Sequence, residues 1–331
     1  MPETFKALML TQDDAGKTVA GIRQLGDADL PEGDVLVAVD YSSLNYKDGL
    51  AITGKGKIVR TWPMVPGIDL AGTVLQSDSS DYAAGDKVVL TGWSVGEKYW
   101  GGYSQRQRVQ SKWLVPLPEG LDSRRAMAIG TAGFTAMLCV MTLEEAGVTP
   151  DKGTVLVTGA SGGVGSVAVA ILTRLGYTVA AVSGRPESEA YLRRLGASQL
   201  VTREEMNQPP RALEGQRWAG AIDTVGSTLL ARVLAEMVYG GCVAACGLAG
   251  GADLPTTVMP FILRNVSLRG VDSVMCPVER RKQAWQHLVT DLPADALGEI
   301  GHVATLEELP TLAEQIIAGQ VRGRVIVDVN A

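Results

Sequence analysis

An apolar run that breaks into four glycines constrains this chain more than any other feature. The segment VLVTGASGGVGS, at 155–166, begins β-branched and apolar and passes through Gly159, Gly162, Gly163 and Gly165. Val164, Val167, Ala168, Ile171, Leu172 and Leu175 then fall on one helical face. The pattern predicts a strand, a tight loop and a helix. Glycine lets the backbone turn sharply and lets a ligand approach with no Cβ in the way. A helix starting there aims unpaired N–H groups and a positive dipole end at an anion, which suits the pyrophosphate of a dinucleotide. The spacing is not the standard G-x-G-x-x-G, so a plain glycine-rich β–α turn stays open at this point.

The flanking sequence supplies the context. From 153 onward strands are expected at 155–158, 178–183, 199–202, 219–224, 242–246 and 267–271, with helical runs such as 187–195 and 228–238 between them. That alternation predicts right-handed crossovers and a doubly wound parallel sheet, with ligands at the carboxyl ends of its strands. Before it, short β-rich runs at 35–39, 73–75, 87–91 and 107–109 are punctuated by glycine and proline, which reads as a compact, mainly antiparallel domain. An apolar, methionine-rich stretch at 126–143 reads as a buried helix or pair of helices. Helices near 277–288 and 306–318 and a closing strand at 324–329 end the chain, the strand being expected to return to the first domain. The α/β chain thus divides into a β-rich domain (1–125), a nucleotide domain (126–265) and a segment (266–331) that carries the last strand or strands of the parallel sheet and returns to the first domain.

Composition excludes several classes. Thirty basic against 36 acidic side chains give a net charge of −6, which argues against a nucleic-acid footprint. No apolar run is expected to be long enough to span a bilayer, and the opening MPETFKALML does not read as a signal peptide, so the expected location is cytoplasmic. Cys139, Cys242, Cys246 and Cys276 lack paired C-x-x-C spacing and are expected to be reduced, buried apolar groups.

The second strand of the parallel domain chooses the dinucleotide. An NAD site places an acid about 20 residues past the glycine loop, whereas an NADP site uses small and basic groups. Here the strand ends in Ser183, Gly184 and Arg185 with no acid. Arg185 offers a planar, charge-assisted pair to a 2′-phosphate, with the Ser183 hydroxyl as a second donor, and NADPH is the expected cofactor. Arg203, after the third strand, is a weaker candidate for the adenosine end. Cys246, Gly247 and Leu248, then Val271, Asp272 and Ser273, lie at strand ends nearer the nicotinamide.

LNYKD (44–48), VPGIDLAG (65–72), GDKV (85–88), GTAGFTA (130–136) and TGASGGVG (158–165) together resemble the medium-chain dehydrogenase/reductase superfamily. More narrowly the chain is similar to its quinone-oxidoreductase-like branch and, within it, to NADPH-dependent acryloyl-CoA reductases, through SLNYKDGLAITGKGKI, GTAGFTAMLCVMTLE and CGLAGGADLPTTVMPFILRN. The resemblance implies a GroES-like catalytic domain, a Rossmann domain, a cofactor cleft between them and a homodimer. It implies cofactor contacts from Tyr46, Thr135, Ser161, Gly162, Gly163, Val164, Ile262 and Arg324, beside Ser183, Gly184, Arg185, Arg203, Leu248 and Ser273.

Zinc members of the superfamily place a cysteine ligand where this chain has Asn45, and G-H-E where it has Gly67, Ile68 and Asp69. Catalytic zinc needs three protein ligands, so no metal is expected, and Asp69 is expected to be a structural hydrogen-bonding residue. Without a Lewis acid the expected chemistry is hydride transfer to an activated double bond, with donors needed at the carbonyl oxygen and a proton source for the α-carbon. Tyr46 is the catalytic candidate, with Asn45 positioning it or the cofactor. A tyrosine packed on a β-turn with its hydroxyl in solvent is the other reading. Asp48 is a candidate to orient Lys47 or Tyr46, or to stabilise the turn. Related enoyl thioester reductases carry a proton-donating tyrosine where this chain has Lys55-Gly56-Lys57, so the donor is Tyr46, a lysine of that loop, or water. Lys55, Lys57, Arg60, Arg264, Arg280, Arg281 and Lys282 are available for CoA phosphates, and the aromatic loop 93–103 is a candidate lid through Gly101 and Gly102. Three functions stay open on the residues alone: a short-chain 2-enoyl-CoA reductase, a quinone or small-enone reductase, and a non-catalytic NADPH-binding protein.

Overall fold

The computed structural model describes residues 4–331. It forms two compact units: the chain up to Thr131 with Ser273–Val289 and Leu297–Ala331, and Ala132–Asp272 with Thr290–Ala296. The boundary expected after residue 125 therefore falls inside a helix, while 266–272, expected to carry a last strand of the parallel sheet, lies in the nucleotide unit.

The first unit opens with a hairpin, β1 (Thr4–Gln12) and β2 (Thr18–Gly26), paired without a register break. β3 (Val35–Leu44), helix α1 (Tyr46–Thr53), β4 (Asp69–Ser77), β5 (Lys87–Thr91), β6 (Arg106–Val109) and β7 (Leu114–Pro116) follow. Val35, Val37 and Val39 of β3 alternate inward onto Val74, Val88 and Leu90, as a half-buried strand requires. Helix α1 stands where the alternative reading of Tyr46 placed a β-turn. Asn45, extended at φ −119°, precedes it, Asp48 in its first turn accepts the Asn45 N–H (3.0 Å), and Gly54 ends it at φ 67°.

Helix α2 (Ser123–Glu145) breaks at Gly130 (φ 52°, ψ −161°). By length and composition this 23-residue helix is apolar enough to cross a membrane, contrary to the sequence expectation. Its apolar window is 94% buried, however, as in the core helix of a globular fold.

The second unit carries β8 (Val155–Val157), α3 (Gly163–Arg174), β9 (Val179–Ser183), α4 (Glu189–Arg194), β10 (Gln199–Thr202), α5 (Arg203–Met206), β11 (Trp218–Asp223), α6 (Ser227–Glu236), β12 (Met237–Ala245), α7 (Met259–Arg264) and β13 (Ser267–Gly270). The strands lie in the order β10-β9-β8-β11-β12-β13, every neighbouring pair parallel. The order reverses between β8 and β11, which is where such sheets open a crevice for a dinucleotide. The chain continues through α8 (Val278–Asp291), α9 (Ala294–Ile300), β14 (Gly301–Thr305), α10 (Leu309–Ile317) and β15 (Arg324–Asp328). β15 pairs antiparallel with β3, Val325 opposite Leu44, so the closing strand does return to the first sheet, and β14, which was not expected, lies parallel beside it.

Candidate functional site

In the parallel-sheet unit the glycines act through close approach. Gly159 sits at φ +57°, and a Cβ on it would collide with the Thr224 hydroxyl. A Cβ on Gly165 would run into the Gly159 carbonyl and come within 2.6 Å of Ala160 Cα. Gly162 precedes α3 in an extended conformation, leaving the helix's first N–H groups directed at the loop. The loop is tied to the next strand end: Thr158 donates to Asp223 (2.8 Å), while Thr224 donates to the Thr158 hydroxyl from its N–H (3.0 Å) and to the Thr158 carbonyl from its own hydroxyl (3.0 Å). Burial pushes the Asp223 carboxyl above the usual carboxylate range. Asp223 was missed in the sequence, although an acid closing a buried apolar strand just before the turn Thr224-Val225-Gly226 is the signal that marks it.

Ser161, Ser183 and Arg185 come together here. The Arg185 guanidinium donates to the Ser161 hydroxyl (2.8 Å) and carbonyl (3.3 Å), the Arg185 N–H donates to the Ser183 hydroxyl (3.2 Å), and the two hydroxyls are 3.3 Å apart. Gly184 makes room for a second cation, since a Cβ there would be 2.6 Å from Nε of Arg203. Two guanidiniums and two hydroxyls at the ends of β8, β9 and β10 fit a 2′-phosphate, and a glycine loop that any side chain would fill fits a pyrophosphate. In the same unit the Leu248 and Ile262 side chains are 65% and 71% exposed, whereas Thr135 is buried on α2. Cys139 and Cys242 are buried, but Cys246 is only partly so, contrary to expectation.

In the β-rich unit a buried network stands behind Tyr46. Asp69 accepts from the Ser43 N–H and hydroxyl (3.0 and 2.8 Å), the Asn45 amide (3.1 Å) and the Thr131 N–H (2.8 Å). Arg324, 2% exposed, donates to Asn45 Oδ1 (3.2 Å), the Ser43 hydroxyl (2.6 Å) and the carbonyls of Leu44 and Ala128. Asn45 is thus engaged inward at both ends of its amide. The ring of Tyr46, by contrast, is 43% exposed as the first residue of α1. Lys47 pairs with Glu97 (2.7 Å) and not with Asp48. Asp48 instead accepts the N–H groups of Gly67 (3.2 Å) and Ile68 (3.0 Å), joining LNYKD to VPGID.

Burial, helped by the Asp69 charge, pushes the Asp48 carboxyl up to about 7. The folded value lies above the unfolded one near 3.9, so the folded state binds the proton more tightly. The stability this group contributes is complete below about pH 4 and is lost as pH rises through 7, on the order of 4 kcal/mol. Asp48→Asn is therefore expected to gain stability relative to wild type in urea titrations as pH rises from 5 to 8. A constant difference across that range would exclude the assignment.

Several expectations are corrected. Arg281 and Arg264 are not available to CoA: Arg281, 1% exposed, donates to Thr91, and Arg264 donates to the carbonyls of Ala235, Met237 and Glu214. Lys55 and Lys282 pair with Glu314 and Glu279. Gly101 and Gly102 do not act as lid hinges. Their N–H groups bond to Val65 and Gly67, and a Cβ on either would strike the backbone of 66–69.

Residues 31–119 match the alcohol dehydrogenase GroES-like domain family and 163–290 the zinc-binding dehydrogenase family. With this fold and nucleotide loop, the chain belongs to the medium-chain dehydrogenase/reductases, oxidoreductases that pair a GroES-like domain with a Rossmann-like one. Along its length it is 62% identical to the probable acrylyl-CoA reductase AcuI of Escherichia coli, covering 98% of this chain and 100% of that one. It is 60% identical to the acrylyl-CoA reductase AcuI of Ruegeria pomeroyi, covering 99% and 100%. The crystal structure of the yhdH oxidoreductase from Salmonella enterica in complex with NADP superposes with a TM-score of 0.96 at 61% identity, covering 98% and 99%. The chain is a member of the acrylyl-CoA reductase branch.

The zinc in the family description does not suit these residues. Asp69 spends its oxygens on Ser43, Asn45 and Thr131, Asn45 spends both ends of its amide, and the Arg324 guanidinium stands among them. Among the described residues no group of three or more His, Cys, Asp or Glu is arranged for a metal.

Proposed function

We propose that this chain reduces the α,β double bond of short 2-enoyl-CoA thioesters with NADPH, acryloyl-CoA giving propanoyl-CoA. The observation that carries the reading is the end-to-end likeness to acrylyl-CoA reductases, and the Ser161–Ser183–Arg185 cluster supports NADPH over NADH. Bound NADPH supplies the hydride for the β-carbon. The glycine loop and the N-terminus of α3 hold the pyrophosphate, while Ser183, Arg185 and Arg203 meet the 2′-phosphate. Ser273, following the last parallel strand, contacts the nicotinamide end.

The exposed Tyr46 hydroxyl donates to the thioester oxygen, where charge gathers as hydride arrives, or protonates the α-carbon. Asn45 and Asp48 set where the Tyr46 helix begins. Lys57 and Arg60 stay as cations for the CoA phosphates. The reading includes a cytoplasmic location and a homodimer, the dimer supported by the edge strand β13 and by the exposed Val258 and Leu263 that precede it in the chain. Light scattering at the mass of one 34.9 kDa chain would exclude the dimer.

NADPH absorbance followed with acryloyl-CoA, crotonyl-CoA and a simple quinone in parallel tests the activity. Oxidation is expected with the thioesters, fastest with acryloyl-CoA. Turnover of the quinone alone would overturn the assignment, and no turnover at all would favour a binding protein. Tyr46→Phe, which keeps the ring and loses the hydroxyl, is expected to lower kcat by about 10²–10³ and to change NADPH affinity far less. An unchanged kcat would move the role to Lys55, Lys57 or water.

A further inference from the structure

A second buried guanidinium, remote in sequence from the Arg324 network, organises the segment that carries Ser273. Arg281 on α8 reaches inward with both terminal nitrogens: Nη1 donates to the Thr91 carbonyl (2.8 Å) and hydroxyl (2.7 Å) at the end of β5. Nη2 donates to the carbonyls of Ser273 (3.2 Å), Val274 (3.3 Å) and Cys276 (3.3 Å). The guanidinium carbon lies 5.1 Å from the centre of the Trp93 ring, and the backbone N–H of Trp93 donates to the Val274 carbonyl (2.9 Å). Gly92, at φ +80°, permits this approach, because a Cβ there would be 2.7 Å from the Val274 oxygen and 2.9 Å from that of Ser273.

One side chain therefore draws three carbonyls of a four-residue turn to a single point and ties them to β5. Burying a guanidinium costs several kcal/mol unless its donors are well used, and an apolar contact would serve a mere anchor as well. A rigid fork of donors instead fixes the direction of each carbonyl, and with it the path of the backbone through Ser273.

We propose that Arg281 is a positioning residue for the nicotinamide half of the cofactor, holding Ser273 in place through the carbonyls of Ser273, Val274 and Cys276. The proposal rests on the reading that Ser273 contacts that half. Lysine in place of Arg281 keeps a charge but cannot reach Thr91 and three carbonyls at once.

Calorimetric titration with NADP⁺ and with 2′,5′-ADP separates the possibilities, because the second ligand carries the 2′-phosphate end and no nicotinamide. For Arg281→Lys the NADP⁺ dissociation constant is expected to rise about tenfold while that of 2′,5′-ADP stays within about twofold. Equal weakening of both ligands, or no weakening of either, would overturn the proposal. Should Arg281→Lys fail to fold, Thr91→Val removes one acceptor of the guanidinium and is expected to shift the same ratio in the same direction by a smaller factor; no shift would count against it. Ser273→Ala distinguishes the two layers. If it leaves the ratio unchanged, the contact assigned to Ser273 fails and the proposal with it; if it changes the ratio and Arg281→Lys does not, the positioning role alone fails.

Discussion

Arg185→Ala is expected to raise the dissociation constant for NADPH by about 10–100-fold and to leave that for NADH within about twofold. The two cofactors differ only in the 2′-phosphate, so the ratio isolates whatever meets that group. A hydrogen bond to a charged partner is worth about 1.5–3 kcal/mol, which is the source of that range. Arg185 is held ready for it: the Ser161 hydroxyl at 2.8 Å and the Ser183 hydroxyl at 3.2 Å from its N–H fix the side chain and the turn that carries it. A preset fork loses less rotamer freedom on binding than a free surface arginine. Arg203 over Gly184 supplies a second charge, so the loss should be large but short of complete. Equal loss of NADPH and NADH affinity would mean that the arginine supports the loop and does not read the phosphate.

The second large effect is on stability. Arg324→Ala is expected to lower the free energy of unfolding by about 3–5 kcal/mol, read from urea or guanidinium denaturation at pH 7. The guanidinium is fully buried, and removing it leaves Asp69 and Asp48 in the interior without their neighbouring cation. Burial pulls the arginine's pKa down from its ordinary value, and the charges of Asp69 and Asp48 oppose that pull. Gly130, at the break in α2, belongs to the same device, because any side chain there would strike the Arg324 guanidinium. Arg324→Ala combined with Asp69→Asn should recover part of the loss, since the unpaired charge is then gone. A loss below about 1 kcal/mol for the single variant would show that the network carries little of the fold's stability.

The resemblance implied that Arg324 lies against the cofactor, yet its guanidinium donates to Ala128, Leu44, Asn45 and Ser43 in the protein interior. That assignment differs in kind from those at Ser183 and Arg185. The glycine loop, the strand before it, the helix after it and the basic end of the next strand were readable because each is a local pattern. Periodicity, glycine at a turn and the residue closing a strand are set within a dozen positions, and the parallel order follows from their alternation. The missing acid after β9 pointed to NADPH for the same reason.

The misreadings fall where a partner is distant along the chain. The β-turn offered as the other reading of Tyr46 is a helix, whose first turn Asp48 caps while also accepting from Gly67 and Ile68 some 20 residues on. Arg281 looked like a surface cation for CoA, but its acceptor Thr91 is 190 residues away. Arg324 meets Asn45 across 279 residues. No local pattern encodes such a meeting. A buried charge is stable only where the folded chain brings several donors and acceptors to one point, so residue type and neighbours left open whether these arginines faced solvent, substrate or core, and the packing of the sheets assigned them to the core.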